Sequence, residues 1–441
     1  MQTSKFSDLN LSTPILNALN DLGYSQPTPI QERAFSAMMA GHDVVGLAQT
    51  GTGKTIAYLL PCLRLWKYSK DKLPQTLIIV PTRELVVQVV EEIKKLTPYM
   101  NVEAIGIYGG VNIRAQREQI IGGLDILVAT PGRLLDLMLD STIKSKVIKR
   151  VIIDEVDEMF SLGFRPQLER VFDLLPPKRQ TLMFSATYSD EVDSMIKTFF
   201  RLPVRIEAAP SGSPLTNINQ IAYQVPNYHT KLNLLNYLLG QEGMDRVLIF
   251  ASSRKLVDKL YNHLENEFPG EAGVIHASKA QNARFRAVEN FSEGKQRILV
   301  ATDVLSRGID ITGVSHVINF DIPETTENYV HRIGRSGRAD AKGDSISFIL
   351  ANDAEMVLKI EELMHYAIPR AEFPEAVEIS EILNLDEMPQ VKMPDYKIKI
   401  KLNEGGGAFH EKSEKNQKVN VRKTRDQQMR EKYGKPKRKG N

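Results

Sequence analysis

Cysteine is almost missing from this chain of 441 residues, where Cys62 stands alone. A single thiol excludes an intramolecular disulfide and a cysteine-built zinc site. Cys62 lies in an apolar, helix-like stretch, which reads as an ordinary buried thiol. No apolar run approaches the ~20 residues of a membrane-spanning helix. Residues 1–8 lack the apolar centre of a signal peptide. Compositional extremes are also missing, with 42% hydrophobic and 25% charged residues. These absences point to a soluble globular protein of a reducing, cytoplasmic compartment with no membrane partner.

What is present begins with length. The chain is too long for one ordinary core, so two domains plus extra segments are expected. The formal net charge of +3 hides an asymmetry. Residues 401–441 carry 13 Lys and Arg against 5 Asp and Glu, while the rest carries 44 against 49. That tail is poor in large apolar residues and contains Gly405-Gly406-Gly407, which predicts disorder and attraction to polyanions. Nucleic acid is the favoured polyanion, and a merely solubilising tail is the plain alternative.

Short β-rich runs alternate with helical patterns up to about residue 208. Candidate strands are 44–47, 76–80, 102–108, 126–129, 151–153, 181–184 and 204–206. They are nearly continuous apolar runs, as in strands covered on both faces, and the helical stretches between them suit right-handed crossovers of a parallel sheet. Residues 209–219, rich in Pro, Ser and Asn, read as a linker. Alternation resumes at 247–250, 273–276, 298–301, 316–320 and 346–349, followed by a helical stretch over 353–365. Residues 369–403 carry no clear pattern.

The run Ala48-Gln49-Thr50-Gly51-Thr52-Gly53-Lys54-Thr55 lies between a strand-like and a helix-like segment. That is the context of a phosphate-binding loop. Small residues let successive backbone N–H groups turn toward phosphate oxygens, and the helix that follows points its positive end at the same anion. Lys54 can reach the β- and γ-phosphates, and the Thr55 hydroxyl can ligate Mg²⁺. Ala48 stands where the first glycine of the pattern is expected. A glycine-rich turn without a ligand is the alternative.

A second signal is Val151-Ile152-Ile153-Asp154-Glu155-Val156-Asp157, an apolar run ending in carboxylates. Ligands of open parallel sheets gather at the carboxyl ends of strands. Asp154 is therefore expected beside Thr55 as a Mg²⁺ ligand, and Glu155 is placed to accept a proton from an attacking water. The segment Gly23-Tyr24-Ser25-Gln26-Pro27-Thr28-Pro29-Ile30-Gln31, with Phe6 upstream, resembles the Q motif of DEAD-box RNA helicases. The resemblance extends in order and spacing to about residue 365. It takes in the loop at 48–55, Pro81-Thr82-Arg83-Glu84-Leu85, Gly109-Gly110, Thr130-Pro131-Gly132-Arg133, the acidic run and Ser185-Ala186-Thr187. Val156 stands where that family usually has alanine, which reads as a packing variation.

The resemblance implies an α/β protein of two tandem RecA-like domains, each a mostly parallel sheet flanked by helices, with a basic disordered C-terminal tail. It implies ATP and Mg²⁺ as cofactors and RNA as partner. Phe6, Tyr24 and Gln31 would hold the base; Gln49, Thr50, Gly51, Thr52, Gly53, Lys54 and Thr55 the phosphates; Asp310 the ribose. Pro81, Thr82, Arg83, Gly110, Thr130 and Arg133 would hold the RNA backbone, as would Arg254, Gln281, Arg284 and Thr302 of the second half. Such phosphate contacts carry no sequence information. Asp157, Ser185, Thr187 and His331 would couple the two halves. His276 and His331 lack zinc-ligand spacing.

His331-Arg332-Ile333-Gly334-Arg335-Ser336-Gly337-Arg338 packs arginines between small residues, and their guanidinium groups need anions. By resemblance, Arg335 and Arg338 reach the γ-phosphate held by the first half, with Arg338 as the arginine finger. The expected division is a Q-motif segment at 1–35, a first domain at 36–208, a linker at 209–219, a second domain at 220–368, an extension at 369–400 and the tail at 401–441. The activity implied is RNA-stimulated ATP hydrolysis coupled to local strand separation. An ATP-gated RNA clamp and a DNA-directed helicase are the alternatives.

Overall fold

Valine, isoleucine and leucine crowd the centres of the strands, and every strand pairing is parallel. In this computed structural model the described residues are 5–48, 52–207, 218–303, 313–336, 343–384, 387 and 425–434. The first sheet comprises β1 (Val44–Leu47), β2 (Thr76–Ile79), β3 (Ala104–Ile107), β4 (Ile126–Ala129), β5 (Arg150–Ile153), β6 (Gln180–Ser185) and β7 (Val204–Glu207). Their spatial order is β3-β4-β2-β5-β6-β1-β7. Val45 pairs with Met183 and Ile79 with Ile153, a register that aligns the carboxyl ends of the central strands.

The second sheet comprises β8 (Ile218–Gln224), β9 (Val247–Phe250), β10 (Ala272–Ile275), β11 (Ile298–Ala301), β12 (His316–Asn319) and β13 (Gly343–Ile349), in the order β10-β11-β9-β12-β13-β8. Helices cover both faces of each sheet, as parallel sheets require. Ile78, Ile152 and Leu182 pack into one core of the first sheet, and Leu77, Val151 and Met183 into the opposite one. Each fully buried side chain of this kind contributes about 1.5–3 kcal/mol relative to exposure. Both sheets belong to one compact unit, Met1–Met388.

Beyond shifts of one or two residues at strand ends, such as Ala104–Ile107 where 102–108 is expected, three segments differ from the sequence reading. Ile218 and Asn219, read as the end of a linker, open β8. This edge strand turns Gln220 inward, where its Oε1 accepts a hydrogen bond from the Tyr329 hydroxyl at 3.1 Å, so the apolar alternation is broken. The strand expected from 346 begins at Gly343, because Ser345 and Ser347 are fully buried polar residues. The unassigned stretch after 368 packs on the second half: Arg370 bridges to Ala222, and Val377 joins the core with Leu234 and Phe320.

The tail was expected to lack structure, yet Arg425–Tyr433 is helical. Arg, Gln, Met, Glu and Lys are strong helix formers, which propensity alone explains. Among the described residues no helix is long and apolar enough to cross a membrane.

Candidate active site and nucleic-acid interface

β5, β6 and β1 are neighbours, so their carboxyl ends bring Asp154, Ser185 and Ala48 to one edge. Gly53 adopts φ +83° and caps the helix Lys54–Arg64. That backbone conformation favours glycine, and a Cβ there would push the Gln31 amide out of its place against the loop. Gln31 Nε2 donates to the Gly53 carbonyl at 3.3 Å, and the Thr28 hydroxyl donates to the Thr52 carbonyl at 3.2 Å. Gln31 Oε1 accepts from the Thr28 N–H at 2.9 Å. The Q segment thus braces the phosphate loop, and the Gln31 amide keeps one donor and one lone pair for a base.

Lys54 is 7% exposed, and its Nζ meets no hydrogen-bond partner among the described residues. Asp154 and Glu155 are also buried, and Glu155 Oε2 lacks a partner in the same sense. Native proteins rarely leave such groups unpaired, because burial without a partner costs several kcal/mol. A triphosphate beside Lys54 would remove that cost, so these residues fit the nucleotide. Burial pushes the Asp154 carboxyl up to about 6, against the nearby Lys54 charge and with added repulsion from Glu155. A cation at Asp154 would reverse that shift. The Tyr58 hydroxyl lies against Asp154 and Thr55, and burial followed by the Asp154 charge raises it well above the tyrosine range.

No cluster of three or more His, Cys, Asp or Glu among the described residues has metal-holding geometry. Mg²⁺ takes one or two carboxylates and completes its shell with phosphates and water, a donor set to which Asp154 and the Thr55 hydroxyl can contribute. Glu155 itself sits in the left-handed region, at φ 54° and ψ 52°, where the chain turns from β5 into the helix Val156–Ser161. Such a conformation costs a non-glycine residue on the order of 1–3 kcal/mol and clusters at working sites. Val156 is fully buried in the apolar core under this turn.

Asp157 Oδ2 accepts three hydrogen bonds at 3.1 Å, from the Ala186 N–H, the Thr187 N–H and the Thr187 hydroxyl. His331 Nε2 approaches the same oxygen at 3.6 Å. Asp157 therefore joins the loop after β6 to the helix Thr326–Ile333 of the second half. Arg335 follows that helix and is 3% exposed; burial lowers its pKa while the Glu155 charge raises it. So Asp157 meets His331, and Glu155 meets the field of Arg335, across the two halves.

A second junction forms through Glu84. Its Oε1 accepts from Gln281 Nε2 at 2.8 Å and pairs with Arg284 at 2.7 Å. Arg83 Nη1 donates to Gln281 Oε1 at 3.4 Å. Gln281 and Arg284 thus spend donors between the halves, and Glu84, which falls in the run at 81–84 expected along RNA, is their acceptor. Pairs so distant in the chain leave no local signal.

The other expected RNA residues line strand ends. Pro81 and Thr82 follow β2, and Thr82 Oγ1 caps the helix Arg83–Leu96 by accepting from the Leu85 N–H at 3.3 Å. Gly110 has φ +79°, and a side chain there would meet Arg83 Nη1 at 2.3 Å. Thr130 follows β4 and Arg133 donates to Gln116 Oε1 at 2.5 Å. Arg254 donates to the Ser278 hydroxyl at 2.9 Å, and Thr302 follows β11. Phe6 is packed in the apolar core with Leu9 and Leu11, and Tyr24 is exposed. Gln49, Thr50, Gly51, Asp310 and Arg338 lie outside the described residues, as do residue 208 and residues 209–217 of the linker.

Comparisons with known proteins agree with this geometry. Residues 28–195 match the DEAD/DEAH box helicase family, and residues 230–340 match the helicase conserved C-terminal domain. The ATP-dependent RNA helicase RhlB of Pseudomonas syringae is 39% identical over 368 residues, covering 81% of this chain and 92% of the relative. The structure of S. cerevisiae Dbp5 bound to RNA and ADP BeF3 is 29% identical, with a TM-score of 0.75, covering 83% of this chain and 95% of that one. Mss116p bound to ssRNA and AMP-PNP is 26% identical, with a TM-score of 0.78, covering 85% and 81%. The two parallel sheets are tandem RecA-like domains, and with both family models matched in order the chain belongs to the DEAD-box helicases.

Proposed function

We propose that this protein is an ATP-dependent RNA helicase whose ATP hydrolysis, stimulated by RNA, separates short duplexes or remodels RNA–protein complexes. One observation carries the reading. Lys54 Nζ and Glu155 Oε2 are buried and meet no hydrogen-bond partner among the described residues, in a site that also feels Arg335 of the second half. Lys54 and the backbone of residues 49–55 bind the phosphates. Glu155 accepts the proton of the attacking water. Arg335 and Arg338 stabilise charge that develops on the γ-phosphate. Gln31 and Tyr24 hold the base, Phe6 supports them from the core, and Asp310 takes the ribose. Thr55 and Asp154 hold Mg²⁺, which when bound neutralises phosphate charge and polarises the bond to be cleaved.

RNA lies along the strand ends that carry Pro81, Thr82, Arg83, Gly110, Thr130, Arg133, Arg254 and Thr302, with Gln281 and Arg284 at the junction. Backbone contacts of this kind select RNA by shape and 2′-OH rather than by base sequence. Asp157, Ser185, Thr187 and His331 report the state of one half to the other. The first sheet with its helices, and the second sheet from Ile218 with the stretch that packs on it beyond 368, act as separate bodies about the linker, and closure completes the site. The basic tail adds non-specific RNA affinity. A reducing, cytoplasmic setting suits a chain with one buried thiol.

The test is a duplex-displacement assay run beside an ATPase assay. ATP-dependent release of a short RNA strand, with hydrolysis stimulated by RNA and not by DNA, is expected. Hydrolysis without release would make the protein a clamp, and equal stimulation by DNA would overturn the RNA assignment.

A further inference from the structure

Arg332 is the largest of the fully buried side chains, and neither the nucleotide nor the RNA reading uses it. Its Nε and Nη2 both donate to the Asp303 carboxylate, the latter at 2.8 Å. Its Nη1 donates to the Asp321 carbonyl at 2.6 Å and to Asn319 Oδ1 at 3.3 Å. The guanidinium also lies over the Phe250 ring, 5.4 Å from its centroid. These partners end β11, β12 and β9, three neighbouring strands at the centre of the second sheet.

Each partner leads to a loop of the RNA-facing edge. Asp303 directly follows Thr302. The Asp321 carboxylate accepts from the Ser252 N–H at 3.1 Å and the Ser252 hydroxyl at 2.8 Å, at the start of the loop that leads to Arg254. On the other side, Arg332 shares the helix Thr326–Ile333 with His331, and Arg335 comes three residues later. One forked side chain of the helix that carries His331 therefore reaches the Thr302 loop through Asp303 and, through Asp321, the Ser252 loop. Lysine cannot replace it, because a point charge offers no planar fork for two acceptors on one side and two on the other.

We propose that Arg332 is a positioning residue that holds the loops of Thr302 and Ser252 in register with the helix carrying His331, so that RNA seating and nucleotide-site completion occur together. This rests on the RNA-stimulated ATPase reading above. Arg332→Lys should raise the RNA concentration for half-maximal ATPase about tenfold, the scale of losing one arm of a charge-assisted pair. Nucleotide affinity measured without RNA should stay within about twofold, because Arg332 does not face that site. Asp303→Asn keeps the shape and one acceptor and should shift the RNA requirement in the same direction by less. Combining the two should add little to Arg332→Lys alone.

The experiment is an RNA titration of ATPase on both variants, with melting temperature and RNA-free binding of a fluorescent nucleotide measured on the same samples. A merely structural role would lower the melting temperature and leave the half-saturating RNA concentration at the wild-type value in the folded fraction; that result overturns the proposal. If Arg332→Lys does not fold, Asp303→Asn decides alone by the same criterion. A wild-type protein that RNA does not stimulate would instead sink the function reading.

Discussion

Two buried lysines separate the halves of this protein. Lys231 is 1% exposed and fully engaged, its Nζ donating to the Phe320 carbonyl at 2.7 Å and to Asp321 Oδ1 at 3.1 Å. Lys54 is nearly as buried, yet its Nζ meets no hydrogen-bond partner among the described residues. Both sit at the carboxyl edge of a parallel sheet, where open α/β folds gather their ligands. The second half uses that edge to brace its own loops, through Lys231, Asp321 and Arg332. The first half leaves part of its edge unpaired. Between these two lysines, the satisfied one is scaffold, and the other stands where another molecule can complete the bonding.

The largest effect that can break this contrast is on rate. Glu155→Gln should lower ATP turnover at saturating RNA by about 10²–10⁴-fold, the usual worth of a general base. Nucleotide binding should survive, as should stability, because Glu155 Oε2 meets no hydrogen-bond partner among the described residues that the amide would lose. Turnover within threefold of wild type in a multiple-turnover assay would mean that the unpaired oxygen has no chemical task.

Next in size is the scaffold side. Lys231→Met strands the Asp321 carboxylate, and removing one partner of a buried pair costs about 3–5 kcal/mol. Denaturant melts should register it. Burial works to raise the Asp321 pKa, but Lys231 and the Ser252 bonds outweigh it, so the folded value lies below the ordinary one. A depressed carboxylate stabilises fully above its unfolded pKa, and that stabilisation is lost as pH falls through the folded value. Wild type should therefore lose stability with acid below about pH 4, and Asp321→Asn should flatten that part of the profile; an unchanged acid limb would remove Asp321 from the account. Lys54→Met should behave oppositely to Lys231→Met. Nucleotide binding should collapse in a titration while stability falls clearly less than in Lys231→Met, because Lys54 gives up its charge interaction with Asp154 but no hydrogen bond among the described residues. A loss as large as that of Lys231→Met would erase the difference between the two lysines.

The contrast also explains what could be read from the chain. Strands such as Ile126–Ala129 and Val247–Phe250 are apolar throughout and buried on both faces, so hydrophobicity alone marks them. The end of the second sheet is different. Gln220, Asn319, Ser345 and Ser347 are buried polar residues, and the Tyr329 hydroxyl meets Gln220 and Ser347 at 3.1 and 3.3 Å. Buried polar side chains of this kind look like loop residues in a sequence, which is why β8 and the start of β13 leave no apolar signal. The site divides the same way. Lys54, Asp154, Glu155 and Asp157 fall in short contiguous runs with a chemical rationale. Glu84 with Arg284, and Arg332 with Asp303, are bonds between distant residues whose partners only the fold supplies.

The smallest expected effect concerns Cys62, and it decides between two causes of the unpaired groups. Cys62 lies in the helix Lys54–Arg64, which begins at the phosphate loop, and burial pushes its thiol up to about 12. If the first half leaves Lys54 and Glu155 unpaired because it is loosely packed, that helix opens locally and the thiol is exposed far more often than the protein unfolds. If the edge is rigid and shaped for a ligand, Cys62 reacts only through global unfolding. Labelling with a thiol reagent at neutral pH should then be negligible in the native protein and complete in denaturant, with an opening free energy equal to the unfolding free energy of the first half. Native labelling that saturating nucleotide slows several-fold would show a helix that is ordered by its ligand, and the contrast between the two lysines would become one of packing rather than of purpose.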